Sequence, residues 1–250
     1  MSSIICLCVV CNEDYLLGLI ALLNSLIKHT DGLDLPIYIV DLDLRQESKD
    51  RLLSIYHNLI FMKSNYRSED MPKQSGRFQQ AFHKLNAFDL ALRYDRVLCI
   101  DADVIFTGSI SELLVYMPKS IRMSQRRDGW FWGTIIDIPK ISKELHNDIF
   151  NKLYSLDNTL LAEEELLNIL HNDKTIQIQA LEQKRICNHE FYMNNNKQII
   201  HQKNKRIEIH TPSKHYPVGI HYAGDIKPWH KKRQNSRKNK IWDRYGSQME

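Results

Sequence analysis

The stretch RVLCIDADVIF, Arg96 to Phe106, sets two carboxylates inside an otherwise apolar run. Burying one unpaired carboxylate costs several kcal/mol, and a second beside it adds repulsion. On an extended chain, residues i and i+2 share a face, so Asp101 and Asp103 project together while the small Ala102 turns away. Val97–Ile100 reads as a strand feeding directly into the pair. The aspartates then fall at a strand's carboxyl end, where ligands bind in open α/β sheets. Two like charges held so close need a counter-charge, and a hard divalent cation taking oxygen ligands supplies one. A bare D-x-D triplet could equally be a solvated surface turn; the apolar VLCI before it favours the buried reading.

Working outward, Ile4–Val10 is a short apolar run suited to a strand buried on both faces. Asp14–His29 carries Leu16, Leu19, Ile20, Leu23, Leu26 and Ile27 at helical spacing. Pro36–Val40 reads as a second strand and Arg45–Leu59 as a second helix. Gln80–Tyr94 follows as a helix with Phe82, Leu85, Phe88 and Leu92 on one side. Further strands are expected at Ser120–Met123, Gly133–Ile138, Ile176–Ala180 and Val218–Tyr222, and helices at Ile141–Leu153 and Leu160–Leu170. This alternation predicts an α/β fold, a single Rossmann-like domain with a mainly parallel mixed sheet flanked by helices. No repeat or composition break interrupts residues 1–229, and 230–250 form a basic tail.

With 250 residues, 43% hydrophobic and 26% charged, the chain is long enough for one full core. No apolar run approaches the roughly 18 residues of a membrane span. The opening MSSIICLCVVCNEDY lacks a positive n-region and reads as a core strand rather than a signal peptide, so a cytoplasmic location is expected. Five cysteines in no disulfide-like framework agree with that. Cys8-Val9-Val10-Cys11 matches C-x-x-C, but cysteine in a buried strand is more simply a small hydrophobe. The net charge of +4 is uneven: Lys227–Arg244 holds eight Lys/Arg against Asp243, a local +7 that leaves −3 elsewhere. Trp242 and Tyr245 in that segment are residues favoured at membrane interfaces, so docking on an anionic membrane surface is one expectation. A solvated tail is the other. No base-reading module accompanies the basic run, so nucleic acid is not the expected partner.

Two enzyme classes end an apolar strand in D-x-D: haloacid-dehalogenase-like phosphatases, with Asp101 as nucleophile and magnesium bound, and metal-dependent nucleotide-sugar transferases. The first expects its nucleophile near the domain's start and a paired acidic motif downstream, and neither is evident. The second expects a further metal ligand and groups for a diphosphate. HYAGDIKPW, His221 to Trp229, supplies both. His221 on a strand completes a mixed oxygen/nitrogen donor set that suits manganese, with magnesium the alternative. Gly224 lets backbone approach a phosphate, and Lys227 adds positive charge.

HYAGDIKPW, together with CIDADVIF and the CNEDY…LLNSL segment, resembles glycosyltransferase family 8, the family of glycogenin and of lipopolysaccharide galactosyl- and glucosyltransferases. The likeness runs from about Ile4 to Trp229. It implies a GT-A fold, a UDP-hexose donor, manganese, retention of anomeric configuration and a glycan or lipid-linked acceptor, with a role in surface polysaccharide or lipopolysaccharide synthesis. It implies that Asp101, Asp103 and His221 ligate the metal and that Gly224 and Lys227 belong to the diphosphate loop. By the same resemblance Cys11, Asn12 and Tyr15 contact the nucleoside, Ala102 offers backbone to the ribose, and Lys84 contacts the donor. Two departures stand out. Phe131-Trp132-Gly133 replaces the family's N-[SA]-G, and Glu163-Glu164 replaces a D-Q pair, with room for a one-residue slip among Glu163, Glu164 and Glu165. Glu164 then supplies a carboxylate where relatives have a poor nucleophile.

Overall fold

The computed structural model describes residues 4–66, 80–125, 129–156, 160, 162–181, 186–188, 202–203, 206–207, 218–222, 227–229, 242 and 245. In chain order the elements begin β1 (Ile5–Cys11), α1 (Leu16–His29), β2 (Ile37–Asp41), α2 (Gln46–Ile55), β3 (Leu59–Lys63), α3 (Asn86–Ala91), β4 (Arg96–Asp101) and β5 (Val104–Phe106). They continue with α4 (Ser111–Leu114), β6 (Ile121–Gln125), β7 (Phe131–Pro139), α5 (Lys143–Ser155), α6 (Glu163–Asn172) and β8 (Ile178–Leu181). Four short strands follow: β9 (Ile186–Asn188), β10 (Gln202–Lys203), β11 (Arg206–Ile207) and β12 (Gly219–His221). The chain divides into two compact units: Met1–Leu16, Asp34–Ala102 and Tyr116–Leu181 form the first, and Leu17–Leu33, Asp103–Val115 and Glu182–Glu250 the second.

The first unit is built on a seven-stranded sheet in the order β3-β2-β1-β4-β7-β6-β8. The β1–β2, β2–β3, β1–β4 and β6–β8 pairs are parallel, and β7 runs antiparallel to both β4 and β6. The expected mixed, mainly parallel sheet is therefore present. β1 and β4 lie at its centre, which is why both are apolar almost throughout. Cys6, Cys8, Cys11 and Cys99 on these two strands are buried free thiols, as a small-hydrophobe reading requires. Burial pushes the Cys6 thiol up to about 12, far from reactive. One face packs Phe82, Leu85 and Phe88 with Ile149 and Phe150 of α5 and Leu166, Leu167 and Leu170 of α6.

A buried charge in this core has a local explanation. Arg96, fully buried at the start of β4, forms a bidentate pair with Asp137 of β7, Nε to Oδ1 at 2.8 Å and Nη2 to Oδ2 at 2.9 Å. Arg122 of β6 donates to the same carboxylate through Nε at 2.8 Å. Three adjacent strands thereby share one satisfied ionic centre.

Some boundaries differ from expectation. The second helix stops at Ile55 and Leu59 opens β3, a strand the helical spacing of Leu52, Tyr56 and Leu59 had concealed. The helix expected over Gln80–Tyr94 is a 3-10 stretch at 80–85 followed by the short α3. The second unit contains a three-stranded sheet, β5-β12-β9, and an antiparallel β10–β11 pair. β12 is antiparallel to β5, with His221 opposite Val104. α1 packs here through Ala21 against Ile105 and Ile220, and its Ser25 Oγ accepts the Phe106 amide at 2.9 Å. No helix among the described residues is long and apolar enough to cross a membrane.

Candidate active site

In the first unit the site gathers at the carboxyl ends of β1 and β4, which lie side by side with Val10 opposite Asp101. Cys11 is buried at the end of β1. Asn12 follows as an N-cap whose side chain accepts the Tyr15 amide at 3.1 Å and donates to Gln80 Oε1 at 3.0 Å. This fixes the turn that presents the half-buried Tyr15. Asp101 closes β4, and Ala102 behind it is buried.

Lys84, on the 3-10 stretch, brings its ammonium 2.5 Å from Asp101 Oδ1 and 2.8 Å from Glu163 Oε1, and donates to the Gly133 carbonyl at 3.0 Å. Three acceptors match the three N–H bonds of an ammonium. Burial works to lower the Lys84 pKa, but Asp101 and Glu163 together outweigh it and hold it well above the usual lysine range. Burial also pushes the Glu163 carboxyl up to about 7; Lys84 opposes the rise, while Asp101 and Glu164 add to it.

The scaffold for this cluster is an irregularity in β7. On the β6 side, register jumps from Met123↔Ile136 to Ser124↔Trp132. On the β4 side, pairing ends at Ile135. Side chains of α6 take over the released backbone. Asn168 clamps Phe131, donating to its carbonyl at 2.9 Å and accepting its amide at 3.0 Å. The Gly133 amide donates to Glu164 Oε2 at 3.0 Å. Gly133 also lacks the Cβ that would collide with the Glu163 carboxylate. These contacts assign separate tasks to the acids: Glu163 partners Lys84 and Glu164 partners the bulge. Glu163, Gly133, Gln80 and Asn168 are the contributors sequence spacing did not single out for these roles.

The second unit holds a second cluster. The β5–β12 ladder extends one step as the Tyr222 amide donates to the Asp103 carbonyl at 3.0 Å. Asp103 and His221 are thus neighbours, His221 Nε2 standing 3.2 Å from Asp103 Oδ1. Lys227 donates to Asp103 Oδ2, and to the Tyr222 carbonyl at 3.1 Å. Burial works to raise the Asp103 pKa, but His221 and Lys227 outweigh it and hold the carboxyl well below its usual range. Gly224 lies outside the described residues.

One expectation needs correction. Trp242 and Tyr245, offered above to a membrane interface, are buried among Ala21, Ile105, Ile220 and Tyr222. Their large apolar faces are used to complete a core that the short strands β5 and β12 cannot fill.

A mixed seven-stranded sheet with flanking helices is the architecture of the GT-A fold. The match to the model of glycosyl transferase family 8 covers residues 6–233, so the chain belongs to that family. Membership removes the phosphatase reading of Asp101. The fold is similar to that of LgtC, seen as an active-site mutant (TM-score 0.70, 16% identity, 96% of this chain and 95% of that one). It is equally similar to the galactosyltransferase LgtC in complex with donor and acceptor sugar analogues (0.71, 15%, with 96% and 95% covered). The glycosyltransferase GlyE of Streptococcus pneumoniae TIGR4 is also similar (0.67, 20%), covering 98% of this chain and 60% of that one. No curated protein sequence matches the chain.

Proposed function

We propose that the chain is a retaining, manganese-dependent hexosyltransferase that moves glucose or galactose from a UDP-sugar to a glycan or glycolipid acceptor. The observation that carries this reading is Asp103, held ionised beside His221 and Lys227. A carboxylate and an imidazole nitrogen 3.2 Å apart form a donor pair suited to a divalent cation, and the sequence places Asp101 two residues upstream of that carboxylate. When bound, such a cation supplies Lewis-acid stabilisation of a departing diphosphate. Lys227 contributes positive charge to the same purpose. The description of LgtC as a galactosyltransferase that takes donor and acceptor sugar analogues supports a sugar donor and a sugar acceptor here.

In the first unit, Lys84 neutralises Asp101 and fixes its orientation, and Asn12 and Tyr15 shape the nucleoside end. Retention needs either a nucleophile on the face opposite the leaving group or same-face attack by the acceptor. Glu164, aimed by the Gly133 amide, is the carboxylate available for the first route. The basic segment Lys231–Arg244 holds the enzyme electrostatically at the cytoplasmic face of an anionic membrane, where lipid-linked precursors of surface polysaccharide or lipopolysaccharide are found.

Hydrolysis of UDP-glucose, UDP-galactose and UDP-N-acetylglucosamine with manganese, magnesium or a chelator tests the proposal. UDP release from a hexose donor that depends on manganese is expected. No release from any donor would end it. Glu164→Gln is expected to lower turnover on the order of 100-fold or more; near-normal turnover would dismiss the nucleophile and leave same-face attack.

A further inference from the structure

The family match ends at residue 233, yet Trp242 and Tyr245 beyond it are built into the second unit. Trp242 meets the Tyr222 ring edge-on with centroids 5.8 Å apart, and the Trp229 ring at 4.8 Å. Those two partners bracket the segment that carries Lys227. Tyr222 directly follows His221, donates its amide to Asp103, and accepts Lys227 at its carbonyl. Trp229 stands two residues beyond Lys227. Tyr245, three residues beyond Trp242, is tied to α1: its carbonyl accepts Asn24 Nδ2 at 3.1 Å, its hydroxyl meets His29 Nε2 at 2.7 Å, and the Lys28 ammonium lies 5.2 Å from its ring centroid.

We infer that Trp242 is a positioning residue for the Asp103–His221–Lys227 cluster, a clasp supplied from outside the family region that fixes both ends of the segment holding Lys227. A side chain in ring contact with both Tyr222 and Trp229 limits how far the two can separate. Removing it frees the backbone that sets Lys227 against Asp103 and weakens the ladder that sets His221 beside it. That this cluster takes a cation rests on the functional reading above; the clasp itself does not.

The test compares the full chain with Trp242→Ala, Trp242→Phe and Tyr245→Phe. Binding of manganese alone is followed by its paramagnetic resonance signal, and amide hydrogen exchange is read at Tyr222 and along β4. Trp242→Ala is expected to weaken manganese binding roughly 10- to 100-fold, the range for groups that orient metal ligands. It should also speed exchange at the Tyr222 amide while β4 keeps its protection. Trp242→Phe keeps a ring and should recover most of both properties, and Tyr245→Phe should change neither by more than a few-fold. Unchanged manganese binding in Trp242→Ala would overturn the inference, as would loss of protection at Tyr222 and β4 alike, which marks general unfolding. Should the unaltered chain bind no manganese, the metal reading falls. The Tyr222 amide then decides the clasp alone: faster exchange in Trp242→Ala upholds it and unchanged exchange refutes it.

Discussion

At Lys84 one cation serves two carboxylates, and the balance between them sets a pH response. With Asp101 and Glu163 both ionised, the buried cluster carries an excess negative charge, and burial holds the Glu163 proton up to about 7. An acid whose pKa is raised by folding binds its proton more tightly in the native state. Its stabilisation is therefore complete below the unfolded value, near 4.5, and is lost as pH rises through 7. Lys84, raised above the lysine range, is protonated in both states across this window and adds no slope. Metal-free protein should accordingly lose up to roughly 3 kcal/mol between pH 5 and 8 from this group. Glu163→Gln should flatten that part of the dependence, as read from urea midpoints at the two pH values. Identical slopes in both proteins would refute the assignment. The residues proposed as ligands stood out in the sequence because D-x-D and HYAGDIKPW are compact. The Lys84–Glu163 partnership did not, because it joins positions 79 apart and Glu163 is one of three consecutive acids.

At the scale of elements, β7 and α6 behave as one device. The bulge releases the Gly133 amide and carbonyl from the ladder, and both are used again, one on Glu164 and one on Lys84. Gly133→Ala should force the Glu163 carboxylate aside and disturb Lys84 with it. The expected cost is about 1–3 kcal/mol of stability, as for other overpacked positions, together with a marked fall in donor turnover. A variant with normal turnover and an unchanged melting midpoint would show that the glycine is incidental. Regular elements were readable from period and composition: β1, β2, α1, β4, α5 and α6 occur close to where apolar spacing puts them. The misreadings share a cause. β3 begins on a residue that continues a helical spacing, and the 3-10 stretch at 80–85 imitates an α-helix over two turns. Strands as short as β5 carry too few residues to show an alternation, and a bulge depends on partner strands no local window contains.

Over the whole molecule, charge and packing separate within the last segment of the chain. Its lysines and arginines give the local +7, whereas Trp242 and Tyr245 are spent on the second unit's interior. Truncation after Trp229 would remove both at once, so it cannot isolate the electrostatic role; neutralising charges can. Replacing Lys231, Lys232, Arg233, Arg237 and Lys238 with glutamine should abolish sedimentation with anionic vesicles while leaving hydrolysis of the donor intact. Binding by the unaltered chain should also fade as salt rises, since each surface charge contributes about 1 kcal/mol at most. Vesicle binding that survives the five substitutions would count against membrane docking. The sequence announced the fold class from strand–helix alternation, but the division into two units was hidden, because each is assembled from three separated stretches. The thiols of β1 and β4 add a practical consequence. Four cysteines sealed in the two central strands of the first unit meet an alkylating reagent only when those strands come apart. Their modification rate is then a stopwatch for the opening of that sheet, running in the natural sequence without an engineered label.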